Sequence, residues 1–583
     1  MPINPQPSWL GWLGVQINVV FDSCTQRQKS DRLRQLLFPL AVFSIFAGLT
    51  LVPLWSQAGW PQNHEFNWFA QRTQIYAQHF SFFDFLPIWS SVDNEGFGSP
   101  EPLFYHKLFY VFSASLLNLT GAMKTALVIA ILIFLIAGAF GMYCTLRTLG
   151  ASREVGVAGG LSIIVAKYTV TNWLIRGAMA EFSAAMLVPW ALHYFMRTVQ
   201  EERLHPGLAV SLGLIFLGHS VMCFYLVLLF SVTFLILLAL RQIRPGFLSP
   251  KSLLPPMGIF LALVGPYLLA MSALGGDYDM GRIVPERLHP NNQFQPLGRY
   301  LWDGLWSFGD SWEGFTVQID SLPLVLLTAG LFGILLNTQI GLTTWGQRRT
   351  TLIPILPFFL LGALVLVLQS PISAPFYAYF PGAEFIQFPW RLLAVLTPIV
   401  IAIGLYLAEK AFASQLAGIA LGIYLVIMVI ICGAFAPIKN GRLPSLNHSL
   451  ARVQFSAFGE YVPKSAPLPS PTRESVLAGA KVASCYIDYS QAINEVERMQ
   501  FRIGCVKPAL LALPLFASRL HGIVVSYPDG TARPDTCKAI PSFPGLCGVE
   551  VPAGQSQVQV EMPGYLSVVR WLIGIAKQKQ VAM

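Results

Sequence analysis

The chain has 583 residues, of which 54% are hydrophobic and only 11% charged, with a formal net charge of +9. Soluble domains carry about 25% charged residues, so this composition excludes an ordinary soluble enzyme and marks a polytopic membrane protein. No RNA- or DNA-reading motif accompanies the basic excess, which in such a chain marks cytoplasmic loops rather than a nucleic-acid partner.

Residues 1–35 end in a basic segment (Arg27, Lys29, Arg32, Arg34) directly before the first apolar run. That pattern predicts a retained anchor with a cytoplasmic N-terminus, not a cleaved signal peptide. Apolar runs at about 36–55, 125–147, 155–173, 179–197, 207–221, 222–240, 253–273, 321–338, 352–369, 389–408 and 415–435 predict eleven crossings. With the N-terminus inside, the connections bearing Arg147 and Arg153, Arg197 and Arg203, Arg241, Arg244 and Lys251, Arg348 and Arg349, and Lys410 all fall on the cytoplasmic side. The agreement requires that 108–119, short for a core ~30 Å thick, be an interfacial or re-entrant helix. The transmembrane region, 36–436, then has its large loops, 56–124 and 274–320, on the outer side, where no nucleotide pool exists.

Residues 437–563 lose hydrophobic density and show short alternating runs between Pro/Gly turns, such as 522–527 and 558–562, which predicts an outward β-rich domain. Four of the eight cysteines lie there, and Cys485–Cys505 with Cys537–Cys547 is the simplest of three disulfide pairings, four free thiols being the alternative. The other four cysteines read as small apolar filler. Residues 564–583 read as a short apolar and basic C-terminal helix that lies on the membrane or strains to cross it.

Ionisable groups at or near hydrocarbon depth are costly and therefore functional candidates. Here they gather at the outer ends of the runs: His64 and Glu65, Arg176 and Glu181, His219, and the string Gln387-Phe388-Pro389-Trp390-Arg391. Glu181 lies five residues past Arg176, off its face of any single α-helix, so Arg176 should precede the helix that carries Glu181. The bland readings are a solvated Glu65, arginines snorkelling to headgroups, a turn residue at His219 and an ordinary aromatic belt at Trp390. Asp277 and Asp279 form an Asp-x-Asp pair of the kind that holds Mg²⁺ or Mn²⁺ against a phosphate, although such alternation often arises by chance. The nine histidines have no zinc-like spacing, and no Walker loop, nucleophile elbow or dinucleotide fingerprint is present.

These motifs resemble the bacterial membrane proteins historically labelled 6-pyruvoyl-tetrahydropterin-synthase-related, which look like glycosyltransferases of the GT-C class. The resemblance rests on His64-Glu65, Gly96-Phe97-Gly98-Ser99-Pro100, Phe104-Tyr105, the Arg176–Glu181 segment, His219 and, most specifically, Gln387–Arg391; it extends weakly to Tyr527-Pro528, Asp529-Gly530 and 551–554. Glu65 stands where that family has Asp, and Lys107 where it prefers Pro. The resemblance implies a GT-C-like helical domain in a bacterial inner membrane, with the β-rich domain in the periplasm. It also implies transfer of a sugar from a polyprenyl-phosphate carrier to a glycan or lipid acceptor, among membrane lipids. On that reading Glu65, beside His64, is the base. Arg176 and Arg391 hold the phosphate, His219 assists, Glu181 orients Arg176 or the acceptor, and Gln387 and Trp390 line the site. The resemblance names no cofactor; the one candidate is an Mg²⁺ or Mn²⁺ ion at Asp277 and Asp279. The rivals are a transporter or flippase of lipid-linked sugars, which should show inverted repeats, and a non-catalytic envelope-assembly scaffold, which has no need for paired intramembrane charges.

Overall fold

The computed structural model describes residues 29–56, 60–61, 63–78, 87–91, 93–244, 249–278, 285–303, 316–339, 351–411, 440–441, 461–467, 471–494, 498–562 and 569. The basic N-terminal segment up to 28, Arg348 and Arg349, the run 415–435, Asp279 and all but one residue of 564–583 lie outside them. Two compact units divide the chain: one of 1–69, 124–264 and 290–443, the other of 70–123, 265–289 and 444–583.

The first unit is helical. Four helices in the described chain are long and apolar enough to cross a membrane: Met123–Thr148, Ser220–Ala239, Pro250–Asp277 and Pro389–Ala411. The pair Ile353–Leu368 and Pro371–Tyr379, bent by 76°, makes a fifth if it is one span. The other predicted crossings correspond to shorter or more polar helices. Leu36–Thr50, Pro206–Gly218 and Ser321–Leu336 are short, and Met179–Glu201 carries Glu181, His193 and Arg197 among its apolar residues. The run 155–173 is not one helix. Arg153–Val165 stops at Ala166, a four-residue helix Lys167–Val170 follows, and a π-helical turn covers Thr171–Arg176. Glycines let neighbouring helices approach closely, as small residues do in membranes. A Cβ on Gly330 would meet Leu407 at 2.7 Å, one on Gly404 would strike the Pro323 carbonyl, and one on Gly141 would meet Trp190 at 2.8 Å. A two-residue ladder joins β1 (Trp60–Pro61) to β2 (Asn440–Gly441).

The second unit combines the stretch 70–123 with the β-rich tail. Strands β3 (Cys485–Asn494), β4 (Arg498–Cys505), β5 (Ala509–Phe516), β6 (Gly522–Ser526), β7 (Ala532–Asp535), β8 (Leu546–Val551) and β9 (Gly554–Glu561) form two antiparallel sheets. One has the order β3-β4-β9-β6-β7 and the other pairs β5 with β8. Alternation turns Met499, Phe501, Ile503, Ile523, Val525, Val558 and Val560 inward, where they meet Leu511, Leu513, Leu515 and Val549 from the second sheet. Helix Arg473–Val482, capped by Thr472, adds Val476 and Ala480. Trp89 and Phe97, from the stretch 70–123, belong to this same core, and the Phe516 N–H donates to the Phe97 carbonyl at 2.8 Å. The motif at 527–530 is the β6–β7 hairpin turn: Asp529 Oδ1 accepts from the Thr531 N–H at 2.8 Å, with Gly530 at φ +82°.

Both simplest disulfides, Cys485–Cys505 and Cys537–Cys547, are present. The filler reading holds for Cys223, a buried thiol. It fails for Cys144, which is disulfide-bonded: hydropathy cannot tell a buried thiol from half of a cystine.

Candidate functional site

The site in the first unit begins at the break after Val165. Apolar composition does not sustain the helix there, because Ala166 adopts φ −54° and ψ 135° and the chain re-enters helix at Lys167. Asp320 Oδ1 accepts from the Lys167 backbone N–H at 3.0 Å and Gln318 Oε1 from its ammonium at 2.7 Å, so polar groups satisfy the restart. Tyr168 follows, and its hydroxyl donates to the Glu181 carboxylate. The π-helical turn closes on Gly177, left-handed at φ +70°, and a new helix opens at Met179. This interruption places Arg176 before the helix and beside its first-turn carboxylate, a favourable position for an anion.

Glu181 is the hub. Its Oε2 lies 3.0 Å from Arg176 Nη1 and 3.3 Å from Arg391 Nε. Arg176 and Glu181 are each only 3% exposed, so neither snorkels to a headgroup. Arg176 also donates to Asn172 Oδ1 at 2.5 Å and stacks over the Trp390 ring at 4.8 Å. Arg391 donates from Nη1 to the Ile386 carbonyl at 2.9 Å and to Gln387 Oε1 at 3.1 Å. Gln387 has φ +59° and ψ −48°, and the Phe388 N–H donates to the Ile386 carbonyl at 2.6 Å. That is a γ-turn of the strained kind, and strain of this sort gathers at functional sites.

His64 and Glu65 form the turn after β1. The His64 N–H donates to the Ile175 carbonyl at 3.3 Å, and the Glu65 N–H to the Arg176 carbonyl at 2.9 Å. The turn at 64–65 is thereby pinned to the π-helical turn, and the half-buried Glu65 carboxylate acts electrostatically on both Arg176 and Arg391. His219, buried, accepts the Met222 N–H on Nδ1 at 3.2 Å and lies in the field of both guanidiniums. Glu65, Arg176, Glu181, His219, Gln387, Trp390 and Arg391, which come from four separate stretches, are therefore coupled by contact or by charge.

Asp277 belongs to the second unit, where Arg519 grips its carboxylate through two nitrogens, one at 3.0 Å. Its partner in the Asp-x-Asp pair, Asp279, lies outside the described residues. Among those residues no three His, Cys, Asp or Glu side chains gather as a metal set.

The Gly96–Pro100 motif also falls in the second unit, at a buried polar network. Asp93 accepts from the Ser99 hydroxyl at 2.9 Å, and Glu101 receives Arg72 Nε at 2.6 Å. Burial pushes the Asp93 carboxyl up to about 7, with the Glu101 charge adding to it. Lys107, out of pattern in sequence, donates to the carbonyls of Pro102, Leu103 and Tyr105 at 2.8–3.0 Å, capping the short helix Glu101–Phe104. Burial draws its ammonium down to about 7 against the pull of Glu101.

Sequence reasoning missed Tyr168, Asn172 and Asn63. Lys167-Tyr168 within an otherwise apolar run was the available signal, since polar pairs at that depth call for an explanation.

No protein-family model matches the chain, and neither does any curated protein. Among solved structures it is similar to the arabinofuranosyltransferase AftD from mycobacteria, at 16% identity and TM-score 0.41, over 69% of this chain and 28% of that one. It is similar to the arabinosyltransferase EmbB from Mycobacterium smegmatis, at 12% identity and TM-score 0.38, over 92% of this chain and 64% of that one. A third is the archaeal oligosaccharyltransferase AglB from Archaeoglobus fulgidus, in complex with an inhibitory peptide and a dolichol-phosphate, at 13% identity and TM-score 0.40 over 88% and 76%. The chain thus spans about a quarter of AftD and just under two thirds of EmbB. Likenesses this distant carry no weight for activity or substrate.

Proposed function

We propose that the protein is an integral-membrane glycosyltransferase of GT-C type. It moves a sugar from a polyprenyl-phosphate donor to a glycan or lipid acceptor at the outer face of a bacterial inner membrane. The observation that carries this reading is the joint hold of two buried or half-buried guanidiniums, Arg176 and Arg391, on one carboxylate, with Glu65 coupled to both.

In this mechanism the acceptor hydroxyl gives its proton to the Glu65 carboxylate, with His64 alongside, as its oxygen bonds to the anomeric carbon. The bond from that carbon to the donor phosphate oxygen breaks, and its electron pair leaves with the polyprenyl phosphate. Arg176 and Arg391 stabilise the charge on the leaving phosphate, a task for which planar guanidinium forks are suited. Glu181 and Gln387 fix those forks, Trp390 stacks on Arg176, and His219 adds a neighbouring donor. Asp277, whose carboxylate Arg519 grips, is given no role in this scheme.

The test is transfer in liposomes from labelled polyprenyl-phosphate sugars, with and without Mg²⁺ or Mn²⁺. Glu65→Gln should lose ~10²–10⁴-fold in rate, the usual worth of a positioned base. Undiminished transfer by that variant would remove Glu65 from the mechanism, and no transfer by the wild type would end the enzyme reading.

A further inference from the structure

The turn that delivers Arg176 carries polar atoms that the proposed chemistry does not use. Asn172 is fully buried; its Oδ1 takes Arg176 Nη1, while its Nδ2 has no hydrogen-bond partner among the described residues. Sharing one carbon with that Oδ1, Nδ2 lies beside the same guanidinium. Asn63, directly before His64-Glu65, has both amide atoms sealed from solvent and both without a partner among the described residues. Its amide lies against Gly177, where a Cβ would come within 2.7 Å of Asn63 Nδ2. Two carboxamides thus flank the Arg176–Gly177 step, next to the Glu65 turn. Thr171 Oγ1 and Trp173 Nε1, on the same π-helical turn, are likewise buried and without partners among the described residues.

Leaving a buried donor or acceptor unsatisfied costs ~1–3 kcal/mol per group. A cluster of them beside the Arg176–Glu181–Arg391 charges, at a π-helical interruption, fits a site built for a ligand's hydrogen bonds. The chemistry of the amides selects the ligand. Asn63 offers an acceptor and two donor hydrogens without charge and Asn172 adds the donor hydrogens of Nδ2, a set that matches hydroxyl groups, which both donate and accept. A phosphate offers acceptors only and would be repelled by Asn63 Oδ1. We infer that Asn63 and Asn172 form a hydroxyl-reading subsite for a sugar ring, next to the phosphate-binding arginines. Its ligand class rests on the glycosyl-transfer reading above, and the ring is that of the donor's glycosyl group or of the acceptor.

Ligand-observed NMR on the full-length protein in detergent, with methyl pentosides and methyl hexosides as probes and no lipid donor, tests the subsite apart from catalysis. Wild type should bind at least one glycoside. Asn63→Leu, close in shape, should bind it at least tenfold more weakly while its thermal midpoint holds or rises. Should Asn63→Leu fail to fold, Asn63→Ser reads the same loss. In the transfer assay, the substrate whose KM rises in the Asn63 variant identifies the ring. Unchanged glycoside affinity in the Asn63 variants, or no binding by wild type, overturns the subsite. Glycoside binding lost in those variants, in a protein that transfers no sugar, upholds the subsite and overturns the enzyme reading instead.

Discussion

Glu181 Oε2 lies 3.0 Å from Arg176 Nη1 across five positions of chain that no continuous α-helix would bring face to face. A π-helical turn and a left-handed glycine make the contact, and Arg391 completes it from a distant segment. Removing the carboxylate leaves two cations facing each other in a poorly solvated place. Breaking a buried pair from one side typically costs ~3–5 kcal/mol. Glu181→Gln should therefore lower the thermal midpoint markedly. Arg391→Gln should lower it less, because Arg176 still pairs with Glu181. Equal midpoints for the two variants would show that Glu181 is not the hub.

The γ-turn at Gln387 separates backbone strain from side-chain bonding. Gln387→Gly and Gln387→Ala both lose the 3.1 Å bond to Arg391, but only glycine tolerates φ +59°. Strained backbone of this kind costs ~1–3 kcal/mol. The glycine variant should therefore be more stable than the alanine variant by about 1 kcal/mol or more in matched thermal unfolding. An alanine variant as stable as the glycine one would mean that this turn stores no strain.

Much of this site was legible because charge stands out in an apolar chain. The Arg176–Glu181 spacing alone indicated a helix boundary between them, and the Gln387–Arg391 string marked the start of another helix. Tyr168 was hidden because hydropathy joins 155–173 into one run, while the break at Ala166 depends on Asp320 and Gln318, distant residues that satisfy the freed polar groups. Asn63 and Asn172 are ordinary amides in sequence, and only burial without partners distinguishes them. The union of 70–123 with the tail was equally invisible, since Trp89 and Phe97 sit among turns with no period to reveal what they pack against.

The polar network of the second unit predicts a pH response. The Asp93 carboxyl is raised from 3.8 to about 7, so the folded form holds its proton more tightly than the unfolded chain does. Its contribution is complete below about 4 and is lost as pH rises through 7. Lys107 is lowered from 10.5 to about 7; its contribution is complete above about 10.5 and is lost as pH falls through 7. Together they predict a shallow stability minimum near neutral pH. Asp93→Asn should abolish the decline between pH 5 and 7 while leaving the alkaline limb from Lys107. Thermal midpoints across pH 5–9 check this, and an unchanged acid limb in Asp93→Asn would rule out Asp93 as its source.

The disulfides bear on which side of the membrane the β-rich domain faces. Cys485 and Cys505 are register partners on β3 and β4, and Cys537–Cys547 closes a sequence separation of 10. Loops of these lengths contribute ~2–4 kcal/mol, mostly by constraining the unfolded chain. Such bonds persist in an oxidising compartment and are rare in a reducing one. In cells, maleimide-polymer labelling should modify these four cysteines only after reduction, and protease added to spheroplasts should digest the domain. Cys485→Ser/Cys505→Ser and Cys537→Ser/Cys547→Ser should each lower its midpoint. Free labelling of all four thiols without reductant, with the domain shielded from external protease, would place it in the cytoplasm and overturn the outward assignment of this domain.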